Sequence, residues 1–97
     1  MTRLRKAIVI HANDNVATSL AALDPGETVS LEVRGREEDI ILTSSVPAGH
    51  KFALKEIEAG ADVIKYGEPI GRALKRITRG EHVHVHNVAS HLIKRKA

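Results

Sequence analysis

Cysteine is missing from the 97-residue sequence, and Phe52 and Tyr66 are its only aromatic residues. Without cysteine no disulfide can form, and thiolate nucleophiles and zinc–cysteine sites are excluded. With so few aromatic rings the core must be aliphatic, and the stacking platforms of proteins that bind single-stranded nucleic acid cannot be built. Any chemistry of this chain therefore depends on nitrogen and oxygen groups.

The charge excess is small and basic, since 15 Lys and Arg against 12 Asp and Glu give a net charge of +3. The basic residues cluster at positions 3–6, 72–79 and 94–96, where they can attract anionic metabolites or phosphate groups. The sequence contains no recognisable helix-turn-helix pattern. Nucleic acid is therefore not an expected partner.

The length indicates a single domain, residues 1–97, with a core at about 8–88 and a basic C-terminal tail. A domain this small buries a limited share of its surface, which leaves completion by a partner chain or by a homo-oligomer open. The apolar run at residues 7–10 is too short for a membrane span or the core of a signal peptide. We expect a cytoplasmic protein without a membrane partner.

Short runs of β-branched and alternating residues predict a mainly β fold. Val29, Leu31 and Val33 alternate with polar residues, as in a half-buried strand. Further strands are predicted at residues 6–11, 39–42, 61–66, 69–74 and 81–88. Residues 55–63 also match residues 75–83, with a fainter copy at 23–29. Each copy has an aliphatic anchor, a glycine turn and a strand start, a pattern that favours a β interior but is also common by chance.

One short helix is predicted after the first strand. Asn13-Asp14-Asn15 are good N-cap residues. Val16, Leu20 and Leu23 follow at helical spacing, and Asp24-Pro25-Gly26 ends the segment.

Three histidines alternate at positions 82, 84 and 86. In a strand, His82, His84 and His86 share one face, while Val83 and Val85 point into the core. Neighbours on that face lie about 6.5–7 Å apart, so two imidazoles can converge on one cation with bonds of about 2.0–2.1 Å. The alternative is an exposed strand with solvated histidines.

Other ligands must complete such a metal site. His11, at the end of the first predicted strand, is the expected remote ligand. Imidazole and carboxylate ligands without thiolate favour Fe(II), Mn(II) or Zn(II).

Two further groups of residues point to an anionic substrate. Lys51 and Lys65 can bind carboxylates, and His50 or Tyr66 can transfer a proton. The alternative is that the lysines are solvated and the tyrosine caps a small core. Asp14-Asn15 can either cap the predicted helix or help its N-terminus bind an anion.

Four motifs in this order resemble the N-terminal domain of the altronate/galactarate dehydratase family, which also occurs as the small subunit of sulfolactate dehydratase. They are His11 with Asp14-Asn15-Val16-Ala17, Gly49-His50-Lys51, Lys65-Tyr66-Gly67, and Gly80-Glu81-His82-Val83-His84 with His86-Asn87. The resemblance extends from about residue 8 to residue 87. It implies the SAF group and its β-clip fold.

The resemblance also implies an activity. Enzymes of this family remove water from a sugar acid such as altronate or galactarate, give a 2-keto-3-deoxy acid, and depend on a divalent metal, typically Fe(II). It implies a large catalytic dehydratase subunit as partner, and the Met1 start and the tail favour a separately encoded small subunit. The alternative is a non-catalytic SAF-type module that covers or binds a substrate.

Overall fold

The computed structural model describes residues 5–90, and these residues form nine β-strands and no helix. The strands are β1 (Ala7–Ile8), β2 (Val16–Ser19), β3 (Thr28–Val33), β4 (Arg36–Ile41), β5 (Lys51–Ala53), β6 (Asp62–Lys65), β7 (Glu68–Ala73), β8 (His82–Val83) and β9 (Val88–Ser90). The predicted mainly β fold is confirmed. The predicted basic tail at 91–97 lies outside the described residues, and within them no helix is long and apolar enough to cross a membrane.

The strands form three antiparallel sheets. The largest has the order β1-β2-β5-β8, β3 and β4 form a hairpin, and the third sheet has the order β6-β7-β9. The alternation predicted for β3 is confirmed, because Val29, Leu31 and Val33 are buried between more exposed neighbours.

The predicted helix is wrong, because residues 16–19 form β2 between β1 and β5. Two apolar clusters lie on opposite faces of this strand: Val16 packs in one and Ala17 in the other. A strand buried on both faces loses the polar alternation that identifies a half-buried strand. Leu20, expected on the apolar face of the helix, is instead 53% exposed.

Four similar turns connect the sheets, and we call them the clip turns. Each is an aliphatic bridge residue followed three positions later by a glycine with φ of +84° to +86°; the pairs are Leu23 and Gly26, Val46 and Gly49, Ile57 and Gly60, Ile77 and Gly80. Bridges join the first to the second and the third to the fourth. The sequence repeat therefore corresponds to a structural repeat, with a further copy at residues 46–49 that the sequence comparison missed.

The clip turns interlock in pairs through reciprocal hydrogen bonds. The amide of Gly60 donates to the carbonyl of Ala73, and the amide of Gly80 donates to the carbonyl of Ala53, both at 2.8 Å. The other pair repeats this arrangement. The interlocking places the strand that follows one clip turn beside the strand that precedes its partner turn, which brings residues 51–53 next to residues 82–83.

Candidate functional site

His50, His82 and His84, here called the imidazole trio, meet where β5 pairs with β8. In this antiparallel register Phe52 lies opposite His82 and Lys51 lies opposite Val83. The ring centroids of His50 and His84 are 4.2 Å apart, those of His50 and His82 are 5.1 Å apart, and all three rings stack. The trio therefore comes from the two segments that follow the clip turns at Gly49 and Gly80, which are distant in sequence.

The chain leaves the sheet directly after Val83, and residues 84–87 form a turn. The prediction of one continuous strand over residues 81–88 is wrong in this part. Val85, expected in the core, is 74% exposed. The physical reason is the buried carboxamide of Asn87. It accepts a hydrogen bond from the amide of His84 and donates one to the carbonyl of His82, the backbone groups that a neighbouring strand would otherwise bond.

The trio has the nitrogen donors of a metal site. Nδ1 of His50 lies 2.9 Å from Nε2 of His82, and one ring nitrogen of each of the three residues lies within 4.8 Å of the others. Nitrogens bound to one divalent ion at about 2.0–2.1 Å are about 3–3.4 Å apart, so small rotations of the rings suffice. Three protein ligands also leave coordination positions for a substrate or water. The donor set fits a divalent transition metal.

Burial and crowding favour the uncharged form of His82 and His84. Burial, followed by the neighbouring charges of His50, His86, His84 and Lys51, lowers the pKa of His82 to about 4. The pKa of His84 is lowered as well, first by burial and then by the charge of His50. Neutral imidazole is the form that binds metals, so the rings of His82 and His84 are available as ligands at neutral pH.

In an NMR titration of the metal-free chain, we expect the His82 imidazole to titrate near pH 4, well below the ordinary 6.5. Because the unfolded chain then takes up this proton more readily than the folded chain, stability is fully present above about pH 6.5 and falls as the pH drops toward 4. Urea unfolding across that range measures the second effect. A His82 midpoint at or above 6.5 would contradict the burial of the trio.

Lys51 and Lys65 approach each other beside the trio. The pKa of Lys51 is lowered, first by burial and then by the charge of Lys65. The ammonium of Lys65 lies 4.4 Å from the ring centroid of Tyr66 and 3.3 Å from its hydroxyl, and Tyr66 is 59% exposed. These three predicted site residues therefore present two cations and a phenol to an incoming anion.

A pocket of about 390 Å³ is lined by Lys51 of this cationic group and by His84 of the trio. Ser90 adds a hydroxyl group to the lining, and the other lining residues are apolar: Pro69, Ile70, Val83, Val85 and Val88. A small ligand in the pocket can therefore contact both an ammonium group and an imidazole.

Asp14 and Asn15 are anchors for the backbone. The carboxylate of Asp14, which is 5% exposed, accepts hydrogen bonds from the amides of His11 and Gly67. The carboxamide of Asn15 accepts from the amide of Ile64 and donates to the carbonyl of Asp62. Both predicted substrate-binding side chains are thus occupied in holding residues 11–15 against the β6–β7 hairpin, and their contact with substrate stays a prediction.

The two remaining predicted ligands lie outside the trio. The ring of His11 packs on Gly67, where an added Cβ would lie 2.9 Å from its Nε2, and its Nδ1 accepts a hydrogen bond from the amide of Asn13. The exposed ring of His86 lies 5.2 Å from that of His82, tilted by 33°. The structure therefore groups His50, predicted as a proton carrier, with His82 and His84, rather than His11 or His86.

These features define a small β-domain that combines a cluster of three stacked imidazoles with a pocket lined by a lysine. The sequence model of the altronate/galactarate dehydratase SAF domain matches residues 5–91. The chain belongs to this family.

Known relatives carry the same domain within longer proteins. The chain is 51% identical to altronate dehydratase of Escherichia coli over 85 residues, which is 88% of this chain and 16% of that protein. It is 40% identical to galactarate dehydratase (L-threo-forming) of Escherichia coli over 74 residues, 75% of this chain and 13% of that protein. It is also 39% identical to the (2R)-sulfolactate sulfo-lyase subunit alpha of Chromohalobacter salexigens over 66 residues, 68% of this chain and 61% of that subunit. The chain thus spans about a sixth of the altronate dehydratases it matches.

Proposed function

We propose that this chain is the SAF-type small subunit or N-terminal domain of a metal-dependent hydro-lyase. The enzyme dehydrates a sugar acid, such as altronate, galactarate or a similar hydroxy acid, to a 2-keto-3-deoxy acid. The observation that carries the proposal is the imidazole trio beside Lys51 and its pocket. The chain acts together with a larger catalytic subunit, because it covers only 16% of the altronate dehydratase of Escherichia coli. The proposed location of this enzyme is the cytoplasm.

The residues of this chain have separate roles in the proposal. The imidazole trio holds a divalent metal, with Fe(II) preferred and Mn(II) or Zn(II) as alternatives. Such an ion supplies Lewis acidity toward an oxygen of the substrate. Lys51 and Lys65 bind and orient the carboxylate, and the exposed hydroxyl of Tyr66 exchanges a proton with the substrate.

The site is partly shielded from water. Burial lowers the pKa of Lys51, and Phe52 and Val83, on opposite faces of the paired strands β5 and β8, are fully buried. In such a partly desolvated place the attraction between an ammonium group and a carboxylate is stronger than in water. We therefore expect a substrate with a carboxylate to suit the pocket better than a neutral polyol.

A domain exchange tests the proposal. The matching segment of Escherichia coli altronate dehydratase, 51% identical over 85 residues, is replaced by this chain, and altronate dehydration is measured under anaerobic conditions with Fe(II). We expect the hybrid to dehydrate altronate, and its His84→Ala version to lose at least about 100-fold in kcat, as is common when a group acting on the transition state is removed.

The matched control is the same hybrid with His86→Ala, because His86 lies next to the trio without belonging to it. Its turnover should stay within about twofold of the parent hybrid. A folded hybrid that is active with both histidines replaced would contradict the proposal and support the module that only covers the substrate.

A further inference from the structure

Among residues 5–90, Asn87 is the largest polar side chain that is fully buried, at 0% exposure, and it does not line the pocket beside Lys51. Its Oδ1 accepts from the amide of His84 at 2.9 Å, and its Nδ2 donates to the carbonyl of His82 at 2.9 Å. Its own amide donates to the carbonyl of His84, and its carbonyl accepts from the amide of Leu74. All four polar groups of this residue are therefore bonded to backbone.

Asn15 makes the same set of bonds at another place in the fold. Its Oδ1 accepts from the amide of Ile64, its Nδ2 donates to the carbonyl of Asp62, and its carbonyl accepts from the amide of Leu54. Those three partners lie twenty residues before His84, His82 and Leu74, the spacing of the sequence repeat. The two asparagines are thus equivalent members of the repeated architecture.

The two asparagines differ in their distance along the chain from the segment that they bond. At Asn15 the bonded segment continues as β6, because the asparagine comes from a remote part of the chain. At Asn87 the asparagine follows the bonded segment directly, so the chain must fold back at His84 and leaves the sheet. Only at Asn87 do the bonded residues carry imidazoles.

We propose that Asn87 is a positioning residue that aligns His82 and His84 with His50 for metal binding. The inference rests on the proposed metal-holding role of the imidazole trio. Without the two carboxamide bonds, the turn at 84–87 has only the backbone bond from Asn87 to His84 to define it. The His84 ring would then lose its fixed place 4.2 Å from the His50 ring.

The test compares Asn87→Ala with Asn15→Ala, since each substitution removes the same pair of carboxamide bonds. The first readout needs no metal: ring-to-ring nuclear Overhauser contacts between His50 and His84 in the metal-free chain. We expect these contacts in the wild type and in Asn15→Ala, and their loss in Asn87→Ala. Loss in both variants or in neither would overturn the proposal.

The second readout is Zn(II) affinity by calorimetry. Loss of an outer partner of a metal site costs about 10–100-fold in affinity, and we expect a loss in this range for Asn87→Ala and less than about threefold for Asn15→Ala. Equal losses would show that Asn87 is merely structural. If Asn87→Ala does not fold, Asn87→Ser, which keeps an acceptor for the His84 amide, replaces it in both readouts. A wild type that aligns its rings but binds no Zn(II) would refute the metal-holding function and leave the positioning of the rings established.

Discussion

Replacing His82 by alanine is expected to lower the affinity of the chain for Zn(II) or Fe(II) by more than about 100-fold. The ring supplies one of three nitrogens in the trio, and its Nε2 lies 2.9 Å from Nδ1 of His50. Loss of outer partners alone costs about 10–100-fold at metal sites, so the loss of a ligand must cost more. Anaerobic equilibrium dialysis with metal analysis measures the effect.

His86→Ala is the control for this prediction. His86 is a histidine on the same turn, but it is exposed and lies outside the trio. We expect less than about a threefold change in affinity. Equal loss in both variants would point to four converging imidazoles, and retained metal in His82→Ala would place the site elsewhere.

The stability of His82→Ala separates the loss of a ligand from unfolding. The low pKa of His82, lowered mainly by burial, means that the protonated ring is disfavoured in the folded state. Removing the ring therefore removes an acid-sensitive group, and the variant should resist mild acid at least as well as the parent. A variant that stays folded without binding metal assigns the effect to the missing nitrogen.

The sequence is informative where one face of a strand is exposed. In β3 the alternation of Val29, Leu31 and Val33 predicts which side chains are buried. In β2 the same reasoning fails, because both faces are covered by apolar clusters. Of the residues that look like a helix face, Val16 and Leu23 belong to different cores and Leu20 is exposed. Local spacing does not reveal a second core on the far side of a strand.

The candidate site was predictable in its residue types but not in its grouping. Spacing alone suggested that His82 and His84 share a face, and their rings do stack. The third member depends on the register of β5 against β8, which interlocking clip turns set over a distance of about thirty residues. The turn at 84–87 depends on a side chain, Asn87, that takes the place of a strand. Neither long-range pairing nor such a replacement is visible in a periodic pattern.

The second large effect is expected from Gly80→Ala. A Cβ at this position would lie 2.2 Å from the carbonyl oxygen of Ile41, a distance that backbone cannot accommodate without moving. The left-handed φ of +86° adds strain of about 1–3 kcal/mol for a residue with a side chain, and overpacking adds about 1–3 kcal/mol. We expect a total loss of about 2–6 kcal/mol in the free energy of unfolding, measured with urea.

Gly60→Ala isolates the steric part of this loss. Gly60 occupies the equivalent place in its clip turn and has nearly the same φ of +84°, but nothing lies within 4 Å of an added Cβ. Its variant should therefore lose only the backbone cost of about 1–3 kcal/mol. Similar losses in the two variants would show that the β4 end can retreat from Gly80 at little cost.

If the β4 end cannot retreat, the distortion must pass to His82, two residues along the chain, because Gly80 also bonds Ala53 and Thr43. Gly80→Ala should then weaken Zn(II) binding as well, whereas Gly60→Ala should leave it unchanged.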